Sequence, residues 1–156
     1  MPDVSTLRRI LDSTRTIAVV GLSDKPHRPS YFVGKYLLDH DYEVYPVNPT
    51  RSVILGRKSH ASLADIGHPV DMVDCFRRSE DMPALAHEAV ASGARTLWMQ
   101  LGVISEEAAR IAREGGLEVI MNRCTKIEHA RIFGGLNWAG VNTRIISSRR
   151  PRRVNL

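Results

Sequence analysis

The residues with the most chemistry in this sequence fall into short clusters: Gly21-Leu22-Ser23-Asp24-Lys25, Asn48-Pro49-Thr50-Arg51, Phe76-Arg77-Arg78-Ser79, Gln100-Leu101-Gly102 and Asn122-Arg123-Cys124. Together they are polar, basic and rich in small side chains, a composition that suits an anionic ligand. Gly21 lacks a Cβ, so a phosphate can approach its backbone closely. Ser23 offers a hydroxyl, consecutive N–H groups in this loop can form an anion nest, and Lys25 and Arg28 add positive charge. A glycine here also suits a plain tight turn, so the loop by itself leaves both readings open.

Each cluster directly follows an apolar run. Thr16-Ile17-Ala18-Val19-Val20 is continuously apolar after its threonine, as expected for a strand covered on both faces of a parallel sheet. Further strands are expected at 43–47, 71–76, 96–100 and 117–121, with a short one near Val53-Ile54-Leu55 and a short helix from Ser62. Helical spacing fills the intervals. Ser5 is expected to cap a helix carrying Leu7, Ile10 and Leu11, and Ser30 one carrying Phe32, Val33, Tyr36 and Leu37. Ser79 is expected to cap a helix that buries Met82, Leu85, Ala86, Ala89 and Val90 and ends at Gly93 in a left-handed cap. Ser105 opens another, with Glu106 and Glu107 in its first turn, and a last helix begins near Thr125. This alternation predicts right-handed crossovers and a Rossmann-like, doubly wound parallel sheet of about five main strands in a three-layer α/β/α arrangement. In such a sheet, ligands bind outside the carboxyl ends of the strands, where the strand order reverses. The clusters sit at those ends.

The bulk numbers bound the alternatives. With 156 residues, 43% hydrophobic and 25% charged, the chain suits one globular domain. No apolar run approaches the ~20 residues of a membrane span, and the N-terminus lacks the plan of a secretory signal, so a cytoplasmic protein is expected. Two cysteines are too few for a disulfide framework or a four-thiolate zinc site, and the six histidines have no metal-ligand spacing, so no metal is expected. The net charge of +5 is local: Arg144, Arg149, Arg150, Arg152 and Arg153 lie near the C-terminus, and setting those five aside leaves 17 of the 22 basic residues against 17 acids. The expected division is a domain over 1–133 and a C-terminal arm with a basic tail over 134–156, the tail disordered after Pro151. A nucleic-acid partner would rest on that tail alone and is not expected.

The first loop also excludes a ligand class. A dinucleotide fingerprint needs Gly-x-Gly-x-x-Gly, but here Ser23 and Pro26 stand at the second and third glycine positions. The acid that holds a ribose at the end of the second strand is replaced by Asn48-Pro49-Thr50-Arg51. Arginine suits a ribose bearing an extra phosphate, which both NADP and coenzyme A carry.

At this point the chain resembles the small bacterial and archaeal CoA-binding proteins of the YccU-like type, which are similar to the CoA-binding domain of the succinyl-CoA synthetase alpha subunit. The matching segments are Val19-Val20-Gly21-Leu22-Ser23 with Lys25-Pro26 and Pro29-Ser30, Pro46-Val47-Asn48-Pro49, Val73-Asp74-Cys75-Phe76-Arg77, Trp98-Met99-Gln100-Leu101-Gly102-Val103, and Met121-Asn122-Arg123-Cys124 with Lys126-Ile127-Glu128-His129. The resemblance implies a CoA or acyl-CoA ligand. Gly21, Leu22, Ser23 and Lys25 would line the pyrophosphate, Val47, Asn48 and Pro49 would frame the adenosine, and Thr50 and Arg51 would lie near the 3′-phosphate. Phe76 and Arg77 would flank the nucleotide, Ser79 would donate from a helix N-terminus, and Gln100, Gly102, Asn122, Arg123 and Cys124 would face the pantetheine arm. The synthetase's phosphorylated-histidine domain and ATP-grasp partner have no counterpart here, so the resemblance carries binding and not synthesis.

Among possible nucleophiles, Cys124 stands where a helix macrodipole would lower a thiol pKa, or is simply a small pocket-wall residue. Cys75 lies inside an apolar strand and reads as core. His129 beside Glu128 could do acid–base work, though helix-surface positions explain both. With no catalytic constellation, the expectation is a non-catalytic carrier, sensor or accessory protein. The alternatives are an NADP-linked oxidoreductase or other nucleotide-dependent enzyme, and an interaction module using the arginine-rich tail.

Overall fold

A computed structural model describes residues 2–134. The expected C-terminal arm and basic tail, residues 135–156, lie outside the described residues. The chain runs α1 (Val4–Ser13), β1 (Thr16–Val20), α2 (Pro29–Asp39), β2 (Glu43–Val47), β3 (Val53–Ile54), β4 (Arg57–Lys58), β5 (Met72–Cys75), α3 (Met82–Ser92), β6 (Thr96–Met99), α4 (Glu106–Glu114), β7 (Glu118–Ile120) and α5 (Thr125–Phe133). Five strands form one parallel sheet in the order β2-β1-β5-β6-β7, the Rossmann-like, doubly wound plan. The chain moves outward from β1 to β2, then returns across β1 to β5. The order therefore reverses between β1 and β5, and their carboxyl ends diverge around Gly21 and Phe76.

The pleat sorts side chains into two cores, because successive strand residues face opposite sides. Ala18 and Val20 of β1, Val73 and Cys75 of β5, and Leu97 and Met99 of β6 pack under α3 and α4. Ile17 and Val19, Met72, and Trp98 pack on the other side with α1, α2 and α5. Small residues let α3 and α4 come close: Ala86, Ala89, Ala108, Ala109 and Ala112 are all fully buried. β3 and β4 form a small hairpin whose turn places Leu55 at φ +53° and Gly56 at φ +73°.

Three expected caps fall elsewhere. Asp3, not Ser5, caps α1, its carboxylate accepting from Thr6 N at 2.8 Å. Ser30 lies inside the first turn of α2, where Pro29 pre-sets the backbone, and its buried hydroxyl accepts from Ser23 N at 2.9 Å. Ser79 starts a short 3-10 turn ahead of α3 and accepts from Ile104 N at 2.9 Å. Ser105 caps α4, accepting from Ala108 N, and Gly93 ends α3 at φ +82° as expected. No helix among the described residues is long and apolar enough to cross a membrane.

Candidate functional site

A cleft of about 380 Å³ opens at the strand-order reversal. It gathers Gly21, Ser23, Lys25, Arg28 and Ser30 from the β1–α2 connection, Asn48, Thr50 and Arg51 from the end of β2, and Phe76 from the end of β5. Gly21 is indispensable to this geometry. It sits at φ +89°, and a Cβ built on it would stand 2.2 Å from the Phe76 carbonyl oxygen. Its N–H donates to Val47 O at 2.9 Å, which locks the loop to β2.

The loop differs in detail from a free anion nest, because several of its N–H groups are already engaged. Ser23 N donates to Ser30 Oγ and Lys25 N to Ser23 Oγ at 3.0 Å. The positive character comes instead from the side chains of Lys25, Arg28 and Arg51, all on exposed residues. Asn48 ties the second loop down: its Nδ2 donates to Leu22 O at 3.0 Å, while its Oδ1 accepts from both Thr50 N and Thr50 Oγ1 at 2.8 Å. Asp24, which the sequence reasoning passed over, lines the same cleft and accepts from Arg51 Nε at 2.8 Å. That hydrogen bond holds its carboxyl below the usual range. An acid within a cationic loop gives no sequence signal for pairing with a residue 27 positions away.

Two further clefts continue from this one along the strand ends. One, of about 490 Å³, lies between Val20, Val47 and Leu63 on one side and Arg77, Ala84 and Leu85 on the other. The other, of about 520 Å³, shares Phe76 with the first cleft and reaches Arg78, Leu101 and Val103. Among the remaining site residues expected from sequence, Leu22 is fully buried and contributes only its carbonyl. Val47 is core with one edge on the 490 Å³ cleft, and Pro49 is exposed beside the first.

The β6–β7 end is organised differently. Gln100 is 3% exposed, and its Nε2 donates inward to Asp74 Oδ1 at 2.5 Å and Thr125 Oγ1 at 2.8 Å. Thr125 in turn donates to Asp74 Oδ2 at 3.0 Å. Burial outweighs these two hydrogen bonds and pushes the Asp74 carboxyl up to about 7. Gly102 N donates to Asn122 Oδ1 at 2.8 Å, and Arg123 O accepts from Trp98 Nε1 at 2.7 Å. Arg123 and Arg131 both pair with Glu128. Glu128 and His129 are therefore not on the helix surface: both are buried, and the Tyr36 hydroxyl lies 2.8 Å from His129 Nδ1. Cys124 is half-buried at the start of α5. Desolvation raises its thiol pKa, outweighing the Ile127 and Lys126 N–H groups that oppose the shift, so the expected lowering by the macrodipole does not prevail. Cys75 is buried, as expected, and burial pushes its thiol up as well.

Comparison with known proteins agrees with this architecture. Residues 15–130 match the model of a family described as a CoA binding domain. The uncharacterized protein YneT of Bacillus subtilis is 44% identical over 129 residues, spanning 83% of this chain and 96% of its own. A hypothetical protein from Pyrococcus horikoshii is 39% identical with a TM-score of 0.82, over 84% of this chain and 92% of that one. An acetyl-coenzyme A synthetase from Ca. Korarchaeum cryptofilum matches at 25% identity and a TM-score of 0.65, over 74% of this chain but only 28% of its own length.

Proposed function

The chain belongs to the CoA binding domain family, and from that premise we propose that it holds CoA or an acyl-CoA along the carboxyl ends of β2, β1 and β5 as a non-catalytic carrier, sensor or accessory protein. The observation that carries the reading is the cleft at the strand-order reversal. There Gly21 lets the chain pass close to Phe76 while Ser23, Lys25, Arg28 and Arg51 line one anion-sized space. The pyrophosphate sits over Gly21 and Ser23, and the 3′-phosphate takes Arg51 from Asp24. Charge-assisted hydrogen bonds from arginine to phosphate are the strong ones in such a site. The adenosine occupies the 490 Å³ cleft between Val47 and Leu85.

Binding without turnover fits the inward engagement of the groups nearest the thiol end. Cys124 has a raised thiol pKa, and Gln100 and Asp74 are satisfied by one another. Calorimetric titration with CoA, dephospho-CoA, NADP and NAD tests the ligand. CoA is expected to bind tightest, dephospho-CoA about tenfold weaker, and NAD not at all. NADP binding tighter than CoA, or no CoA binding up to millimolar concentration, would overturn the reading. Incubation with acetyl-CoA is expected to leave the thioester intact, and catalysed hydrolysis would overturn the non-catalytic part.

A further inference from the structure

A cleft of about 520 Å³ opens beyond Phe76. We infer that it seats the acyl group of an acyl-CoA thioester, and that this group is an alkanoyl chain. This rests on the CoA reading above and adds to it the class of thioester.

Phe76 is a wall common to this cleft and the phosphate cleft, so the pantetheine arm leaving the phosphates across that ring runs along this cleft and brings the thioester to its far side, by Leu101. The polar groups around it are largely spent. Arg78 Nε donates to Asp81 at 3.0 Å, closing one wall as a neutral pair. The Gln100 amide donates inward to Asp74 and Thr125. Arg77 stands on the border with the 490 Å³ cleft and lines both. Apart from Arg77 the remaining lining is apolar: Phe76, Val103 and Leu101, with Leu101 65% exposed and the neighbouring Ile104 49% exposed. Their exposure is not that of a frayed loop. Gly102 N donates to Asn122 Oδ1, Val103 N to Gln100 O at 2.8 Å, and Ile104 N to Ser79 Oγ. Three hydrogen bonds fix a loop that presents two large apolar side chains to water beside a cleft. An alkanoyl chain laid over them removes that surface from water.

Calorimetry on the full chain with CoA, acetyl-, butyryl-, hexanoyl- and octanoyl-CoA tests this. A fully buried methylene is worth about fourfold in affinity and an open cleft captures about half of that free energy, so about twofold per methylene is expected, or roughly fifteenfold from butyryl to octanoyl. Both side chains are exposed, so the Leu101→Ser, Ile104→Ser double variant is expected to fold normally. It should bind CoA as the wild type does and lose most of the chain-length gradient. A flat gradient in a protein that binds CoA, or a gradient that survives in the double variant, would each overturn the inference while leaving CoA binding intact. A flat gradient together with a dimer that the double variant dissociates would assign the surface to a second copy instead. Failure of CoA itself to bind would overturn the underlying reading as well, and the titration with unacylated CoA registers that separately.

Discussion

At the carboxyl ends of β1 and β2, polar side chains line an open cleft, with Lys25, Arg28, Thr50 and Arg51 all on exposed residues. At the carboxyl ends of β6 and β7, residues of similar type are turned to internal use. Gln100 meets Asp74 and Thr125, Asn122 holds Gly102, and Arg123 pairs with Glu128. Composition alone does not separate the two ends; whether a polar or charged group meets a buried acid does. Where the fold supplies a buried acceptor such as Asp74 or Glu128, a polar residue becomes structure. Where it supplies none, the charge stays available to a ligand.

The largest expected effect comes from removing the geometry on which the open end depends. In Gly21→Val, a β-branched residue would be forced to φ +89° with its Cβ against the Phe76 carbonyl. Strain and overpacking together are expected to cost about 5 kcal/mol. Urea unfolding would measure the loss, and Gly21→Ala, which keeps the Cβ contact but adds no branch, should lose less stability while CoA binding is still abolished. Unchanged affinity in Gly21→Ala would mean that the phosphates do not rest on this loop.

At the closed end the corresponding test is Asp74→Asn. Burial raises the folded-state pKa of Asp74 to about 7, against 3.8 as its ordinary value. Below pH 4 both states hold the proton. Between about 4 and 7 the unfolded chain releases it while the folded chain keeps it, so this group's contribution to stability falls as pH rises through that window. The loss reaches at most about 4 kcal/mol above pH 7. Asp74→Asn removes the titration, and Gln100 can flip its amide to accept from the new one. The wild-type minus variant difference in unfolding free energy should therefore decline from pH 4 to pH 7; a constant difference would show that the Asp74 pKa is not shifted by folding.

These two sites also show what the sequence made legible. Strand runs and helix stripes follow from burial at periods of 2 and 3.6, which is why Thr16–Val20 and α3 fall where expected. Gly21 could be recognised only in the company of the other strand-end clusters, because a strand-end glycine equally suits a plain tight turn. Ser30, Ser79 and Gln100 could not be placed correctly, because a serine or amide offers the same chemistry to a ligand, a helix end or another loop. Which one it meets depends on residues distant in sequence. Ser30 was available as a helix cap, but the chain at Ser23, seven positions away, uses it instead. Asp74 gave no signal as a buried acid because its neighbours in sequence are those of any core strand.

A smaller effect separates the two members of the open end's own ion pair. Arg51→Ala is expected to erase about tenfold preference for CoA over dephospho-CoA, with little change in stability, since the Arg51–Asp24 pair is exposed. Asp24→Asn should act in the opposite direction. It removes a negative charge from an anion cleft and releases Arg51, so CoA affinity should rise about threefold at low salt and converge on the wild type as salt screens the difference. Equal effects of the two variants would mean that the pair serves only to staple the loops.

The smallest expected effect is at Cys124, and it bears on whether the closed end does any chemistry. A helix N-terminus favours thiolate, but only if the sulfur is solvated enough to ionise, and here desolvation is the larger influence. The thiol should therefore react with iodoacetamide at pH 8 more slowly than free cysteine. Cys124→Ser should change stability by less than about 1 kcal/mol and CoA affinity by less than about twofold. A reaction faster than free cysteine, or a large loss of CoA affinity in the serine variant, would move this end of the sheet from structure to function. The boundary between the two ends would then lie at β7 rather than between β5 and β6.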